Sequence, residues 1–204
     1  RCRFYHSDLP SAITETGHWI LKQSIEFFEN RNLEVLYGDT DSLFVKIPES
    51  NKKVDFANNV ASDLNTYLTQ MIKDEFQLES FLEQEFEKLY SDIFFTMMRD
   101  STSGAKKRYV GLVDGKLDFV GMEYVRSDWT ELAKKFQYEL FENYFMQNPI
   151  EIFIKEFVKA LKSGKYDSLL AYTKRLSKDP KEYTKNIPQH VKAALQINHT
   201  GPYR

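Results

Sequence analysis

Two aspartates, Asp39 and Asp41, are the clearest candidates for a chemical role in this 204-residue sequence. Carboxylates at positions i and i+2 of an extended backbone point to the same side, and with a third carboxylate they would make an oxygen-rich site that suits Mg²⁺ rather than zinc. Taken as composition, the same segment is also an ordinary hairpin turn, because Asp, Gly and Ser favour turns through local hydrogen bonds. Four further residues complete the hexapeptide, namely Tyr37, Gly38, Thr40 and Ser42.

A basic cluster is the second candidate site, and it consists of Lys106, Lys107, Arg108 and Tyr109. Lys and Arg gain affinity for DNA by releasing counterions from its phosphates, and a tyrosine can bond a phosphate or pack on a sugar. Strand alternation predicts that Lys106 and Arg108 point to one side and that the other two residues point to the opposite side. Considered alone, the cluster is equally consistent with a solvated strand end whose charges prevent aggregation.

A third group comprises Gly121, Glu123, Arg126 and Asp128. Asp128 precedes Glu131 by three residues, which is the spacing of a capping box, so we predict that Asp128 is the N-cap of a helix. Glu123 and Arg126 can pair with each other or contact DNA, and an ion pair is the commoner arrangement.

The spacing of apolar residues predicts the elements that hold these groups. Ser7 and Asp8 are typical of a helix start, and the apolar pattern continues that helix to Asn30. Residues 33–37 and 42–47 alternate as strands do, which gives a β-hairpin with the two aspartates at its tip.

The rest of the chain is predicted to be mixed at first and helical later. Residues 53–76 have the pattern of an amphipathic helix, whereas residues 78–98 fit either a strand or a helix. The fold class is therefore α+β, with an antiparallel sheet and packed helices followed by a mainly helical part. The remaining predictions are a loop over 101–104, a hairpin over 106–125 that turns at Asp114-Gly115, and helices over 128–141, 149–164 and 188–196.

Composition excludes a scaffold that depends on disulfides and gives no sign of a membrane-spanning segment. With 42% hydrophobic and 28% charged residues, the chain can bury a core without disulfides or structural metals. The single cysteine, Cys2, excludes an internal disulfide and fits a reducing compartment. No apolar run approaches the ~20 residues that cross a bilayer, so no membrane partner is expected. The chain begins at Arg1 rather than methionine, which we interpret as a piece of a longer protein.

Charge is distributed unevenly along the chain. Residues 1–100 carry 10 Lys/Arg against 18 Asp/Glu, a net charge of −8, whereas residues 101–204 carry 18 against 12, a net charge of +6. Such a split would suit an acidic part that gathers cations and a basic part that meets phosphate, but charge balance alone favours two ordinary solvated faces, so the split matters only where sharper motifs agree with it.

The three candidate groups resemble, in order, three motifs of the family B DNA polymerases. Tyr-Gly-Asp-Thr-Asp-Ser between two apolar strands is similar to the third palm motif of that family. Residues 106–109 resemble the motif that holds the primer–template duplex near the primer terminus. Residues 121–128 resemble the Gly-x-Glu-x-x-Arg-x-Asp stretch where the palm passes into the thumb. Residues 2–5, 13–18 and 185–191 are most similar to bacterial members, so the resemblance covers essentially the whole chain.

The resemblance implies an enzyme that adds deoxynucleotides to a primer 3′ end with the help of two Mg²⁺ ions. Asp41 would be the principal metal ligand and Asp39 a nearby acid. Residues 1–126 would form the C-terminal part of the palm, and residues 127–204 a thumb truncated at its C-terminus. The implied partners are primer–template duplex DNA, deoxynucleoside triphosphates and a sliding clamp bound through residues beyond the chain, in the bacterial cytoplasm at the nucleoid.

Some parts that the resemblance implies are absent from this sequence. The family's other metal aspartate lies in an Asp-x-x-Ser-Leu-Tyr-Pro string, which does not occur here. Because two carboxylates from one hairpin leave a two-metal site incomplete, the chain alone is predicted not to polymerise. The alternative is a non-catalytic module that binds duplex DNA and retains the palm–thumb fold. Asp39 and Asp41 argue against it, since a pure binder has no need of acids that face DNA.

Overall fold

The computed structural model describes residues 3, 5–97, 104–172 and 174–196, in two compact units, Arg1–Leu89 and Tyr90–Arg204. Sequence predictions that rest on Cys2, on residues 101–103 or on residues after 196 lie outside the described residues. Each unit contains its own cluster of buried apolar side chains, so each has its own core.

The first unit is a β-hairpin packed with two long helices. Its elements are α1 (Asp8–Glu29), β1 (Val35–Asp39), β2 (Ser42–Val45) and α2 (Lys53–Phe76). β1 and β2 pair antiparallel, which confirms the predicted hairpin. Both helices are confirmed as well, and α2 has the bounds that the apolar spacing predicts.

Aromatic and leucine side chains form the core of this unit. Val35, Leu43 and Val45 of the hairpin pack against the core, which fixes the base of the hairpin and so the position of its tip. The guanidinium of Arg31 lies 3.6 Å from the centre of the Phe27 ring and covers the end of α1. The buried members of the core are Phe27, Phe28, Leu33, Leu64 and Leu68.

The segment after α2 is held by a side-chain clamp rather than by regular secondary structure. The Asn65 amide donates to the carbonyl of Gln84 at 2.8 Å and accepts from the Gln84 N–H at 2.7 Å. Leu82 packs against the core next to this clamp. Of the described residues over 78–97, which fit either element, Asp92–Met97 form a strand and the rest form neither a strand nor a helix.

The second unit is a three-stranded antiparallel sheet with helices. The strands are β3 (Asp92–Met97), β4 (Gly104–Val113) and β5 (Lys116–Val120), in the order β3-β4-β5. Asp114 and Gly115 have φ of 50° and 74°, which is the left-handed pair that a type I′ turn requires and confirms the predicted hairpin. The helices are α3 (Glu131–Phe145), α4 (Ile150–Lys162) and α5 (Gln189–Gln196).

Two predicted boundaries in this unit are wrong. The strand predicted to reach residue 125 ends at Val120, because Gly121 has a φ of 62° and a short 3₁₀ turn, Glu123–Val125, follows. Asp128 is not the N-cap of α3. Thr130 takes that role, since its hydroxyl accepts from the N–H of Ala133 at 3.2 Å.

Helix α3 packs on the sheet and thereby forms the core of the second unit. Phe141 of α3 contacts Phe94 and Phe119 of the sheet, with ring centres 5.4 Å and 5.9 Å apart. Helix α4 in turn packs on α3, where Phe136 lies 4.9 Å from Phe157. The α+β fold class is confirmed, and both sheets are antiparallel. None of the described helices has the length and apolar character that crossing a bilayer requires.

We expect the substitution Asn65→Ala to loosen residues 77–90 by on the order of 1–2 kcal/mol, because the backbone groups of Gln84 lose both partners. Amide hydrogen exchange at Gln84 measures this directly. Asn59→Ala is the matched control, since Asn59 is exposed on the same helix and the change in helix propensity is the same. Equal exchange rates at Gln84 in the two variants would contradict the clamp.

Candidate functional site

The acidic hairpin tip lies in the first unit. Asp39 is the last residue of β1 and pairs with Ser42, so Thr40 and Asp41 form a two-residue turn. Asp39 is half-buried and Asp41 is exposed. Just below the tip, the rings of Tyr37 and Phe44 lie 5.6 Å apart across the two strands and brace the turn. Both carboxylates are therefore placed at the rigid end of a paired hairpin.

The backbone of the turn differs from the predicted one. Thr40 has a φ of 49°, in the left-handed region that β-branched residues rarely adopt, so Asp39 and Asp41 do not lie on one extended strand. The i, i+2 alternation argument for their common direction is therefore wrong. Local hydrogen bonds hold the turn instead, since the Thr40 hydroxyl donates to the Asp39 carboxylate at 3.3 Å and the Ser42 hydroxyl donates to the Asp39 carbonyl at 3.2 Å.

Gly38 has a packing role in this hairpin. A Cβ at Gly38 would lie 2.9 Å from the Leu43 side chain, which packs across the ladder at the paired position. The glycine thus makes room for an apolar side chain that belongs to the core, and the Gly38 backbone keeps an ordinary negative φ.

The donor chemistry of the tip fits a hard divalent cation. Carboxylate oxygens are the ligands that Mg²⁺ prefers, and Asp39 and Asp41 supply them from positions two residues apart. Within the described residues, no group of three or more His, Cys, Asp or Glu side chains is arranged to hold a metal ion. The tip therefore carries two carboxylates of the type that such a cation prefers, and the described residues bring no third ligand of this kind to them.

The basic strand lies in the second unit, and it departs from strand alternation. The pairing of β3 with β4 shifts between Phe95 and Met97, which is a β-bulge, and Lys107 has a φ of 59°. Lys106 and Lys107 are both exposed, whereas Arg108 and Tyr109 are both half-buried. Regular alternation, on which the predicted sidedness of Lys106 and Arg108 depended, is therefore interrupted at Lys107.

Gly121 explains how the bulge is accommodated. A Cβ at Gly121 would lie 1.8 Å from the carbonyl oxygen of Lys107, and the φ of Gly121 is 62°. Only glycine permits both the left-handed backbone and this approach. The end of β5 is therefore pressed directly against the bulged residue of β4.

Arg108 belongs to a hydrogen-bonded network that crosses three elements. Its Nη2 donates to the Glu123 carboxylate at 2.6 Å, and the Gln137 amide of α3 donates to the other carboxylate oxygen at 2.7 Å. The Gln137 carbonyl oxygen also accepts from the Tyr124 N–H at 2.7 Å. Burial raises the pKa of Glu123, but these hydrogen bonds outweigh burial and hold the pKa below its usual value.

The predicted pairing of Glu123 with Arg126 is not the one observed. Glu123 pairs with Arg108, and Arg126 donates two hydrogen bonds to Asp128 at 2.8 Å and 2.6 Å. This fork-shaped contact lowers the pKa of Asp128 to about 2. Glu123 thus takes its partner from β4, and Arg126 takes its partner two residues further along the chain.

Tyr109 is part of a ring cluster on the sheet. Its ring lies 5.9 Å from Phe95 and 6.3 Å from Tyr90. The Tyr90 hydroxyl donates to Asp118 at 2.6 Å, and burial together with this contact raises the pKa of Tyr90. The Tyr90 ring also occupies the space above Gly111, where a Cβ would lie 2.4 Å from it.

Sequence reasoning missed several residues that build this arrangement. Gln137 lies 14 positions after Glu123 in the middle of α3, and nothing in the local sequence distinguishes it from a surface glutamine. Tyr90 lies in the segment that fitted either strand or helix. Thr130 carries a recognisable signal, since Ser and Thr are preferred N-caps, but Asp128 with Glu131 offered a competing one.

Comparison with known proteins gives a consistent result. The profile described as DNA polymerase family B matches residues 2–202. The chain is 35% identical over 200 residues to DNA polymerase II of Escherichia coli, a match that covers 95% of this chain and 25% of that protein. It is 34% identical over 205 residues to DNA polymerase 2 of Aeropyrum pernix, covering 98% of this chain and 22% of that protein. The chain thus spans about a quarter of the length of these curated relatives.

We expect Gly121→Ala to lower the free energy of unfolding by more than about 1–2 kcal/mol, because a left-handed alanine costs that much before any contact with the Lys107 carbonyl. Urea denaturation measures the change. Gly17→Ala is the control, since Gly17 lies inside α1 with open space around it and should gain about 0.5–1 kcal/mol. A neutral Gly121→Ala variant would contradict the close approach.

The Arg126–Asp128 contact predicts a pH dependence of stability. Because the pKa of Asp128 is about 2 in the folded chain, below its unfolded value, the contact stabilises the fold above the unfolded pKa and is lost as the pH falls towards 2. NMR titration should place Asp128 near 2 in the wild type and near ~3.9 in Arg126→Met. Arg175→Met is the control, since Arg175 is not among the groups that shift the pKa of Asp128, and it should leave that titration unchanged. An ordinary pKa in the wild type would refute the contact.

Proposed function

The chain belongs to DNA polymerase family B, and from this we propose that it forms part of an enzyme that adds deoxynucleotides to a primer 3′ end opposite a template strand. The observation that carries the proposal is the acidic hairpin tip, where Asp39 and Asp41 lie at the braced end of two paired strands. The substrates of such an enzyme are a primer–template duplex and deoxynucleoside triphosphates.

Asp41 is the principal metal ligand in this proposal, and Asp39 is a neighbouring acid. The exposure of Asp41 supports this division, since an exposed carboxylate at the tip of a turn can reach a bound cation. When two Mg²⁺ ions are bound, they activate the primer 3′ hydroxyl and stabilise the departing pyrophosphate oxygens. Asp39 is half-buried and already accepts a hydrogen bond from Thr40, which suits a residue that shapes the turn as well as the metal site.

The basic strand holds the duplex in this proposal. Lys106 and Lys107 are exposed, so they can meet phosphates and release counterions. Arg108 adds a planar donor group that Glu123 holds in place. Tyr109 contributes mainly by packing, since its ring lies within a cluster on the sheet. Residues 1–126 then belong to the palm and residues 127–204 to the thumb.

The isolated chain does not polymerise in this proposal. Asp39 and Asp41 come from a single hairpin, and the described residues contain no further acidic group arranged to complete the site with them. The remaining ligand comes from another part of the parent enzyme. The chain keeps a weak affinity for duplex DNA, with a Kd in the non-specific range of ~10⁻⁴–10⁻⁶ M.

The decisive experiment is Asp41→Asn in the full-length protein that contains this segment. We expect primer extension to fall by at least on the order of 10²–10³-fold, the usual cost of losing one preorganised electrostatic contact to a transition state. Duplex binding should stay unchanged, because Asp41 holds metal rather than DNA. Gel-resolved primer extension and fluorescence anisotropy measure the two quantities.

Asp55→Asn is the matched control, since Asp55 lies in the first turn of α2, away from the hairpin tip, and should leave extension unchanged. Duplex binding without primer extension by the wild-type full-length protein would favour the other candidate function, a non-catalytic module that binds duplex DNA. Extension that survives Asp41→Asn would remove the proposed metal role. Template-dependent synthesis by the isolated 204-residue chain would contradict the incomplete site.

A further inference from the structure

We propose that Gln137 is a positioning residue for duplex binding, which acts through Glu123 to set the orientation of the Arg108 guanidinium. The inference rests on the proposed role of the basic strand as the surface that holds DNA. It assigns a function to a helix residue that lies outside every motif recognised in the sequence. Gln137 itself need not touch DNA.

The geometry places Gln137 and Arg108 on opposite oxygens of one carboxylate. Arg108 Nη2 donates to Glu123 Oε1 at 2.6 Å, and Gln137 Nε2 donates to Glu123 Oε2 at 2.7 Å. The Glu123 side chain is 18% exposed and the Arg108 side chain 34% exposed, so water competes only weakly for these contacts. Glu123 is thus held from two sides.

The Gln137 amide can adopt only one orientation in this network. Its oxygen accepts from the N–H of Tyr124 at 2.7 Å while its nitrogen donates to Glu123. The flipped amide would place a donor against an N–H and an acceptor against a carboxylate. Both ends of the amide are therefore fixed, one by the backbone of the 3₁₀ turn and one by the carboxylate.

A fixed amide restrains the carboxylate, and the carboxylate restrains the arginine. The last torsion of a glutamate side chain has a broad preference, so a carboxylate with one partner can swing. With Gln137 on Oε2, Oε1 stays directed at Arg108. A guanidinium ordered before binding loses less conformational freedom when it meets a phosphate, and preorganisation of this kind raises affinity.

The network leaves Arg108 able to bind. A guanidinium has five N–H donors, and the contact with Glu123 occupies Nη2. Lys106 and Lys107, which directly precede Arg108 in β4, are both exposed. Because Gln137 belongs to α3, the network also ties the helical part of the unit to the strand that carries the basic cluster.

The test is duplex binding by the 204-residue chain, measured by fluorescence anisotropy with a labelled primer–template over a series of salt concentrations. Gln137→Leu should weaken binding about 3- to 10-fold, within the range of coupling between neighbouring residues. It should also lower the salt dependence towards that of Arg108→Ala, which loses about one counterion-releasing contact. In the Arg108→Ala background, Gln137→Leu should have no further effect.

Two controls separate positioning from general damage. Gln70→Leu makes the same chemical change on α2, where the Gln70 amide donates to the Asp74 carboxylate at 2.7 Å, and it should leave binding and its salt dependence unchanged. Gln137→Glu is close in size and still accepts from Tyr124, but it cannot donate to Glu123 when ionised. It should therefore weaken binding as Gln137→Leu does. The added negative charge alone can also weaken binding, and the size of that effect is measured by making Gln137→Glu in the Arg108→Ala background.

The outcomes distinguish this inference from the function on which it rests. If Arg108→Ala binds as tightly as the wild type, or if the wild type does not bind at low salt, the duplex-holding role of the strand is wrong and the inference falls with it. If Arg108→Ala weakens binding but neither Gln137 variant does, only the inference is wrong. Equal losses from Gln137→Leu with and without Arg108 would also overturn it, because a merely structural role predicts additivity.

Discussion

The contact between Gly121 and the carbonyl of Lys107 is the constraint on which the second unit depends. It occurs where the bulge of β4 meets the end of β5, and a side chain at Gly121 would exclude it. Once the two backbones touch, the chain turns through Glu123–Val125, which brings Glu123 to Arg108 and the start of α3 to the sheet. The close backbone approach thus lies next to both the polar network and the start of α3, while aromatic contacts such as Phe141 with Phe119 pack that helix on the sheet.

The two units position their chemistry by different means. In the first unit, an apolar core holds the base of a hairpin. The pairing of β1 with β2 continues as far as Asp39 and Ser42, so it fixes the backbone up to the tip that carries the aspartates. In the second, the basic residues lie at an irregularity of the strand, and hydrogen bonds rather than alternation decide where Arg108 points. A regular ladder suits fixed carboxylates, whereas an irregular strand can leave two consecutive basic side chains exposed, as Lys106 and Lys107 are.

Much of the fold follows from sequence patterns, and the exceptions have physical causes. Apolar spacing is enough to find α1, α2 and both hairpins, because those elements bury one continuous face. Strand alternation does not extend through the tip, because Thr40 is left-handed and no pattern in the sequence indicates that conformation. The partners of Arg108 and Arg126 depend on a turn set by Gly121, so pairing by sequence proximity failed. Gln137 is brought to Glu123 only by tertiary packing, which a single sequence does not encode locally.

The left-handed Thr40 has a consequence beyond the geometry of the turn. A β-branched residue in that conformation carries intrinsic strain, which persists only because the flanking ladder and its aromatic brace over-determine the backbone. Asparagine or glycine would relax it. A library of variants selected only for thermal stability would therefore replace threonine at this position. Threonine here indicates that thermal stability and the exact positioning of the neighbouring side chains make opposite demands on this residue.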